Sequence, residues 1–424
     1  MRAPFAWAFS KAIYVHYRSP HQLLTELPML GHIRTLILGN GIAQALQFLS
    51  ILILSRIYLP SDFGLLAQVQ SIAMMAAIVG TLQLHLTIPL CKSDDEARAT
   101  AQSVQTISLA LFALSFFPAL YFGKVFAFSL VLALFLGLAN TYNSYLVFNG
   151  KFGRLSGFYI ARAVVVISLQ ICFAMLSIND GLLWGMLIAE GLAALYLRLT
   201  QLGSLRNIRI VPRAAIELAT RLKSFSVYGT MQELISVSAF YAPLILFTFK
   251  FDETTGGQYA MANRLVWAPV VLLSSSVAQV LYHRFGKVSP TSVTGLLEVL
   301  PSKLVFAAVL AACAISFYLP GVFLYILGPQ WGLASQLLPL QLLWGGFFLL
   351  STPFRIVCRA LHMQKYQLAI DAGMLALIGL LFTFSSMTPL HIMWALVMIA
   401  LGQNALLVTA VLARLKHFDV RDPL

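Results

Sequence analysis

The chain holds 424 residues, 59% of them hydrophobic and only 10% charged, with a formal net charge of +13. An ordinary soluble domain carries about 25% charged residues. A water-soluble core cannot absorb this much apolar surface, so the class is a membrane protein, and the basic excess calls for no nucleic-acid partner. The apolar residues arrive in blocks of about 17 to 25, the length that crosses a hydrocarbon core of about 30 Å at about 1.5 Å per residue. Lipid cannot satisfy exposed backbone, so each block is expected to be a helix.

In chain order the blocks are Thr35–Leu54, Leu65–Leu90, Val104–Leu120, Val125–Phe148, Leu155–Leu176 and Leu182–Leu199. After a polar break come Phe225–Phe249, Tyr259–Tyr282, Leu304–Leu319, Leu337–Phe354, Leu368–Phe384 and Ile392–Leu412. Pro118 and Pro320 are expected to end the third and ninth early, with Leu327 as an alternative end for the ninth. The fold class is therefore all-α, a polytopic membrane protein of twelve transmembrane helices in two pseudo-symmetric six-helix lobes.

Lys and Arg are retained on the cytoplasmic side of short loops. With the N-terminus inside, all but four of the 28 fall on inside segments, the exceptions being Arg56, Lys124, Lys250 and the intrahelical Arg264. An odd number of helices would scramble this alternation. The expected location is the bacterial inner (cytoplasmic) membrane, multi-pass, with both termini cytoplasmic. Residues 1–34 carry Arg2, Lys11 and Arg18 without a long apolar run or a clear cleavage site, which fits an amphipathic surface segment or a disordered tail better than a secretory signal. Cys91, Cys172, Cys313 and Cys358 are scattered, with no metal-ligand spacing, so no metal and no cofactor is expected.

The domain division expected is a cytoplasmic extension over 1–34, a six-helix lobe over 35–200, a basic linker over 201–222, a second six-helix lobe over 223–413 and a tail over 414–424. From Arg198 to Lys223 six basic residues stand beside one acid, Glu217. Internal similarity supports a duplication. Gly41-Ile-Ala-Gln44-Ala-Leu46 and Gly229-Thr-Met-Gln232-Glu-Leu234 both fit GxxQxL, and further on Phe63-Gly64 is matched by Gly257-Gln-Tyr-Ala260. An even number of helices per lobe makes the repeats parallel, related by an axis along the membrane normal with a cavity between them. Chance similarity among apolar helices is the alternative.

Three segments carry a family likeness. They are Leu54-Ser-Arg56-Ile-Tyr-Leu-Pro60-Ser-Asp62-Phe-Gly64, then Gly257-Gln-Tyr259-Ala-Met-Ala-Asn-Arg264 leading to Pro269, and Leu327-Gly328-Pro-Gln-Trp331-Gly-Leu-Ala334. From Gly39 to about Leu412 the chain resembles the Wzx-type polysaccharide transport flippases of the multidrug/oligosaccharidyl-lipid/polysaccharide exporter superfamily. The resemblance implies a flippase that moves undecaprenyl-diphosphate-linked oligosaccharide from the cytoplasmic to the periplasmic leaflet for O-antigen, lipopolysaccharide or exopolysaccharide biosynthesis. Its expected partners are that substrate and membrane lipid, with a polysaccharide polymerase and a chain-length regulator as candidates. The expected state is a monomer.

A sugar-diphosphate head is doubly anionic, so its route calls for a hydrated, cationic cavity. A charge at membrane depth costs about 2.5 to 3.5 kcal/mol and marks function by default. Arg264 is the first candidate for the diphosphate, because a guanidinium forks onto phosphate oxygens; an ion pair with Glu233 is the competing reading. Arg56 and Arg162 lie nearer helix ends, where snorkelling to the interface is the commoner role. Glu233, Glu190 and Asp371 are the acids at depth that could hold a coupling sodium ion or proton, Asp371 also fitting a pairing near Arg359 and Lys365. Asn40, Gln44 and Gln47 share a face of the first helix, Asn140 and Asn143 a face of the fourth beside Tyr142 and Tyr145, and Asn263 and Gln279 lie on the eighth. Amides suit sugar hydroxyls, and they also knit helices together. Gly229, Pro243, Pro269, Pro339 and Pro353 read as hinges or static kinks. Trp184, Trp267, Trp331, Trp344 and Trp394 read mostly as interfacial anchors.

No DxD, HExxH, GxSxG or P-loop appears, and no long outside loop of the kind a membrane glycan polymerase or ligase carries, so the chain is not expected to be an enzyme. The closer rival is an ion-coupled drug/cation antiporter of the same superfamily, whose lobes tend to be acidic at depth. A scaffold within a glycan-assembly complex is the third reading.

Overall fold

The computed structural model describes residues 23–200, 210–285, 311, 314–318, 320–360 and 363–421, with side chains undescribed in some helical stretches of these. Among the described residues the chain is helical with no strand. Ten helices among the described residues are long and apolar enough to cross a membrane. Of the two further spans expected, the ninth falls mostly outside the described residues, and the eighth, Tyr259–Tyr282, lies on a helix that is not among the ten.

The first six spans are α1 (Leu23–Ile57), α2 (Pro60–Thr81), α3 (Asp94–Tyr121), α4 (Lys124–Phe148), α5 (Phe152–Met175) and α6 (Gly181–Thr200). A short α7 (Pro212–Arg221) and one wide turn (Ser224–Gly229) lead into α8 (Thr230–Lys250) and α9 (Glu253–Phe285). Then follow α10 (Pro320–Leu327), α11 (Gly332–Ala360), α12 (Gln364–Phe384) and α13 (Pro389–Arg421).

Proline and local backbone set several ends differently from the sequence expectation. The second block does not run to Leu90. Leu82 and Gln83 take left-handed conformations (φ 46° and 55°) that stop α2 at Thr81, and a tight 3₁₀ segment, Leu84–Leu90, follows. Pro118 does not end the third span at once: it takes away the hydrogen bond to the Leu114 carbonyl, and α3 closes three residues later at Tyr121. Pro320 opens α10 as a first-turn proline and separates that helix from what precedes it. Pro243, Pro269, Pro339 and Pro353 all lie inside continuous helices, so at these positions the helices run on without breaking. Residues 23–34 are helical and continuous with the first span.

By packing, the chain divides into two compact units, Tyr17–Gly257 and Gln258–Leu424. In the first, α1 packs on α5, α2 on α4 and α8, and α3 on α4 and α7. Ser238 on α8 donates to Met75 Sδ on α2 at 3.2 Å. The first unit also holds a reciprocal crossing of two helix starts. A Cβ on Gly64 would lie 1.9 Å from the Glu253 carbonyl oxygen, and one on Gly257 would lie 1.7 Å from the Pro60 carbonyl oxygen. Pro60 and Glu253 stand four residues before Gly64 and Gly257, so each segment meets the other through equivalent positions of the sequence repeat. Backbone meets backbone, and only glycine fits at either position.

In the second unit α11 packs chiefly on α13, with α12 against α13. Gln258, from the second family-like segment, grips the third: its Nε2 donates to the Gln330 carbonyl at 2.6 Å and its Oε1 accepts from the Ala334 N–H at 2.8 Å. Trp331 beside them is fully buried. Trp267 and Trp344 are buried too, packed edge-to-face with ring centroids 6.0 Å apart, and Trp267 Nε1 donates to Gln341 Oε1 at 3.2 Å. These three tryptophans are core rather than interfacial anchors, since a buried indole N–H finds its acceptor inside the bundle. Trp184 and Trp394 remain exposed.

Candidate functional site

In the first unit the charges at depth meet each other. Arg162 stands ten residues into α5, about 15 Å along its axis, and so is not at the helix end that the sequence suggested. Glu190 stands nine residues into α6 and is fully buried. Arg162 Nε donates to both Glu190 carboxylate oxygens at 2.9 Å, and its Nη2 closes a further contact to Oε1. A forked pair of this kind neutralises both residues inside the bundle. Glu190 is enclosed, whereas Arg162 keeps 25% of its side chain exposed.

The amide candidates divide by exposure. Asn40 is exposed and Gln44 half-buried on α1, with Gln47 exposed on the same helix. Asn140 is exposed on α4, whereas the Oδ1 of Asn143 is buried without a hydrogen-bond partner. Tyr142 and Tyr145 are buried, and the Tyr145 hydroxyl donates to Asp94 Oδ1 at 2.5 Å and accepts from Arg98 Nε, tying α4 to the start of α3. Arg56 is exposed in the last turn of α1. Beside it Tyr58 is buried, its hydroxyl donating to the Gln170 carbonyl at 2.7 Å, and burial together with Asp62 pushes its pKa up to about 12. Asp62 accepts from the Leu59 N–H at 2.9 Å and so caps α2.

Glu233, on the first turn of α8, is exposed and makes no ion pair among the described residues.

In the second unit Arg264 lies eleven residues into α9, about 16 Å from its start, and is half-buried beside half-buried Asn263. The side chain of Gln279 is outside the described residues. Asp371 is buried seven residues into α12 and accepts from Gln403 Nε2 on α13 at 2.7 Å. The next residue, Asn404, turns the other way. Its Oδ1 accepts from Ser351 Oγ at 2.6 Å and from Arg355 Nη2 at 3.2 Å, both on α11. Arg355 also lies over the Phe348 ring, 4.9 Å from its centroid. Asp371 and Arg355 thus bind adjacent amides of α13. Sequence reasoning placed Arg355 among the loop cations and overlooked Ser351, Gln403 and Asn404. The signal present was two polar pairs, Ser351-Thr352 and Gln403-Asn404, inside otherwise apolar blocks.

Among the described residues no cluster of three or more His, Cys, Asp or Glu side chains is arranged to hold a metal ion. The chemistry on offer is polar and ionic binding at membrane depth.

No family model and no curated protein matches the chain. Solved structures do. The chain is similar to the lipid II flippase MurJ in an inward closed conformation, at 15% identity and a TM-score of 0.72, covering 91% of this chain and 90% of that one. It is also similar to multidrug resistance MATE family transporters of the MOP superfamily. Against an inward-facing structure the identity is 14% and the TM-score 0.58, and against an outward-facing one 12% and 0.56, each covering 92% of this chain and 96% of that one. At these identities the likeness is one of fold. The chain is a multi-pass, all-α membrane protein with the two-lobe, twelve-helix architecture that the sequence led us to expect.

Proposed function

We propose that this protein is a flippase carrying an undecaprenyl-diphosphate-linked oligosaccharide from the cytoplasmic to the periplasmic leaflet, for surface polysaccharide biosynthesis. The observation that carries the reading is Arg264, a half-buried guanidinium about 16 Å along α9, the helix that holds the eighth expected span. Such a charge is costly in lipid and suits a diphosphate. Arg162 is paired with Glu190, so the reading assigns the diphosphate to Arg264 and sugar hydroxyls to amides such as the neighbouring Asn263. A structural neighbour that is itself a lipid II flippase supports the same reading. The work is binding and release across two leaflets, with no bond made or broken. Alternating access opens a cationic cavity to one leaflet and then to the other.

A second reading, an ion-coupled drug/cation antiporter, is favoured by exposed Glu233 and buried Asp371, and by the MATE neighbours. In the flippase reading the same acids couple transport to a sodium ion or proton.

Vesicles reconstituted with the purified protein decide between them. The flippase moves a fluorescent undecaprenyl-diphosphate-linked oligosaccharide between leaflets, and a hydrophobic cation such as ethidium neither competes nor accumulates. Cation accumulation driven by an ion gradient, with the lipid-linked sugar left in place, would establish the antiporter instead.

A further inference from the structure

The helix α7 joins the sixth and seventh spans and is tied down along one face. Ala215 and Leu218 are buried, and Leu218 joins Leu84 and Val104 in an apolar cluster against which Leu222 packs. The Val211 N–H donates to Thr106 Oγ on α3 at 3.2 Å, and Ser226 Oγ donates to the Ala219 carbonyl at 2.9 Å. These contacts set the height of α7 on the bundle. The first ten residues of α3, Asp94 to Ser103, include three acids and one arginine and no large apolar side chain, and the apolar run begins at Val104. Because α7 docks at Val104 and Thr106, it lies at the level where α3 enters hydrocarbon.

Its other faces are uncovered. Arg213, Glu217, Thr220 and Arg221 are exposed. On the flank next to Arg213, Ile216 is 66% exposed, and Ile210, just ahead of the helix, is 70% exposed. A linker facing only water gains nothing from outward isoleucines at this height. A helix lying in the interface buries them at the acyl boundary while its cations meet headgroups. The segment from Arg198 to Lys223 adds the complementary charge, six basic residues to one acid. Positively charged loops mark the cytoplasmic side, whose leaflet is anionic.

We propose that α7 is a membrane-surface site for anionic phospholipid, with Ile210 and Ile216 dipping into the leaflet and Arg213 and Arg221 meeting lipid phosphates. The inference is independent of which substrate the spans carry.

The test uses the full-length protein in nanodiscs of phosphatidylcholine alone and of phosphatidylcholine mixed with phosphatidylglycerol. Amide exchange over residues 210–221 should be slower in the mixed discs. In native mass spectra the protein should retain phosphatidylglycerol over phosphatidylcholine, and Arg213→Glu and Arg221→Glu should each weaken that preference by about fivefold. Ile216→Glu should restore fast exchange. All three positions are exposed, and unchanged helicity and melting of the variants will confirm folding. Equal exchange of the unaltered protein in the two discs would overturn the proposal without any variant. Protection by inorganic phosphate added to phosphatidylcholine discs would overturn it too, by showing a site for a free ion.

Discussion

The two units of this protein treat charge at membrane depth in opposite ways. In the first, Arg162 and Glu190 close on each other through a forked pair between α5 and α6, with the Glu190 carboxylate fully buried. In the second, Asp371 and Arg355 both turn to α13. Each takes an amide of α13, Gln403 or Asn404, and Arg264 stands half-buried on another helix. An ion pair is satisfied only while both partners stay put, and losing one leaves a buried charge. An amide can accept or donate, so it tolerates a neighbour whose charge or position changes. The first arrangement suits a rigid strut, and the second suits a site whose occupancy varies.

The largest expected effect tests the strut. Arg162→Ala should destabilise the protein by about 3 to 5 kcal/mol, because Glu190 is left buried and uncompensated. Replacing both residues with Leu and Met should restore most of that loss, as read by melting in detergent. Preserved transport in the double variant would keep the pair structural, and lost transport in a well-folded double variant would move it into the mechanism.

His85, in the 3₁₀ segment beyond α2, shows how the first unit treats a titratable group that has no ion partner. It is buried, and burial pushes its pKa down from 6.5 to about 4, with Nδ1 lacking a hydrogen-bond partner. The unfolded chain takes up a proton near pH 6.5 and the folded chain only near pH 4. Its contribution is therefore present above pH 6.5 and lost as pH falls through that window, up to about 3 kcal/mol in all. Melting measured from pH 7 to 4 should show this slope, and His85→Leu should flatten it.

A smaller loss, about 1 to 3 kcal/mol, is expected for Gly257→Ala, which drives a methyl into the Pro60 carbonyl. Gly64→Ala should behave alike, since the crossing is reciprocal. A large difference between the two would break that equivalence. The smallest stability change, under about 1 kcal/mol, is expected for Asp371→Asn, because Gln403 can rotate its amide to keep the hydrogen bond. The same variant should alter the dependence of transport on a sodium or proton gradient, and an unchanged ion response would remove Asp371 from coupling.

Much of the fold was legible because block length and charge alternation follow from bilayer thickness and leaflet charge, which act on each segment locally. The Gly64 and Gly257 repeat was visible for a similar reason, since a backbone crossing demands the same residue twice. The partners of Arg162 and Arg355 were not visible. Glu190 is 28 residues from Arg162 and Asn404 is 49 from Arg355, and which faces meet is set by helix rotation, which no local pattern records. The buried tryptophans were misjudged on the same ground, because a position near a span's end does not say whether it faces lipid or Gln341.

Transport by Arg264→Ala tests the central claim most directly, in a flippase-deficient host whose surface glycan depends on this protein. The variant should reach the membrane at the unaltered level, melt normally and yet produce no surface glycan, with Arg264→Lys recovering part of it through charge alone. Full glycan production by Arg264→Ala would contradict the account.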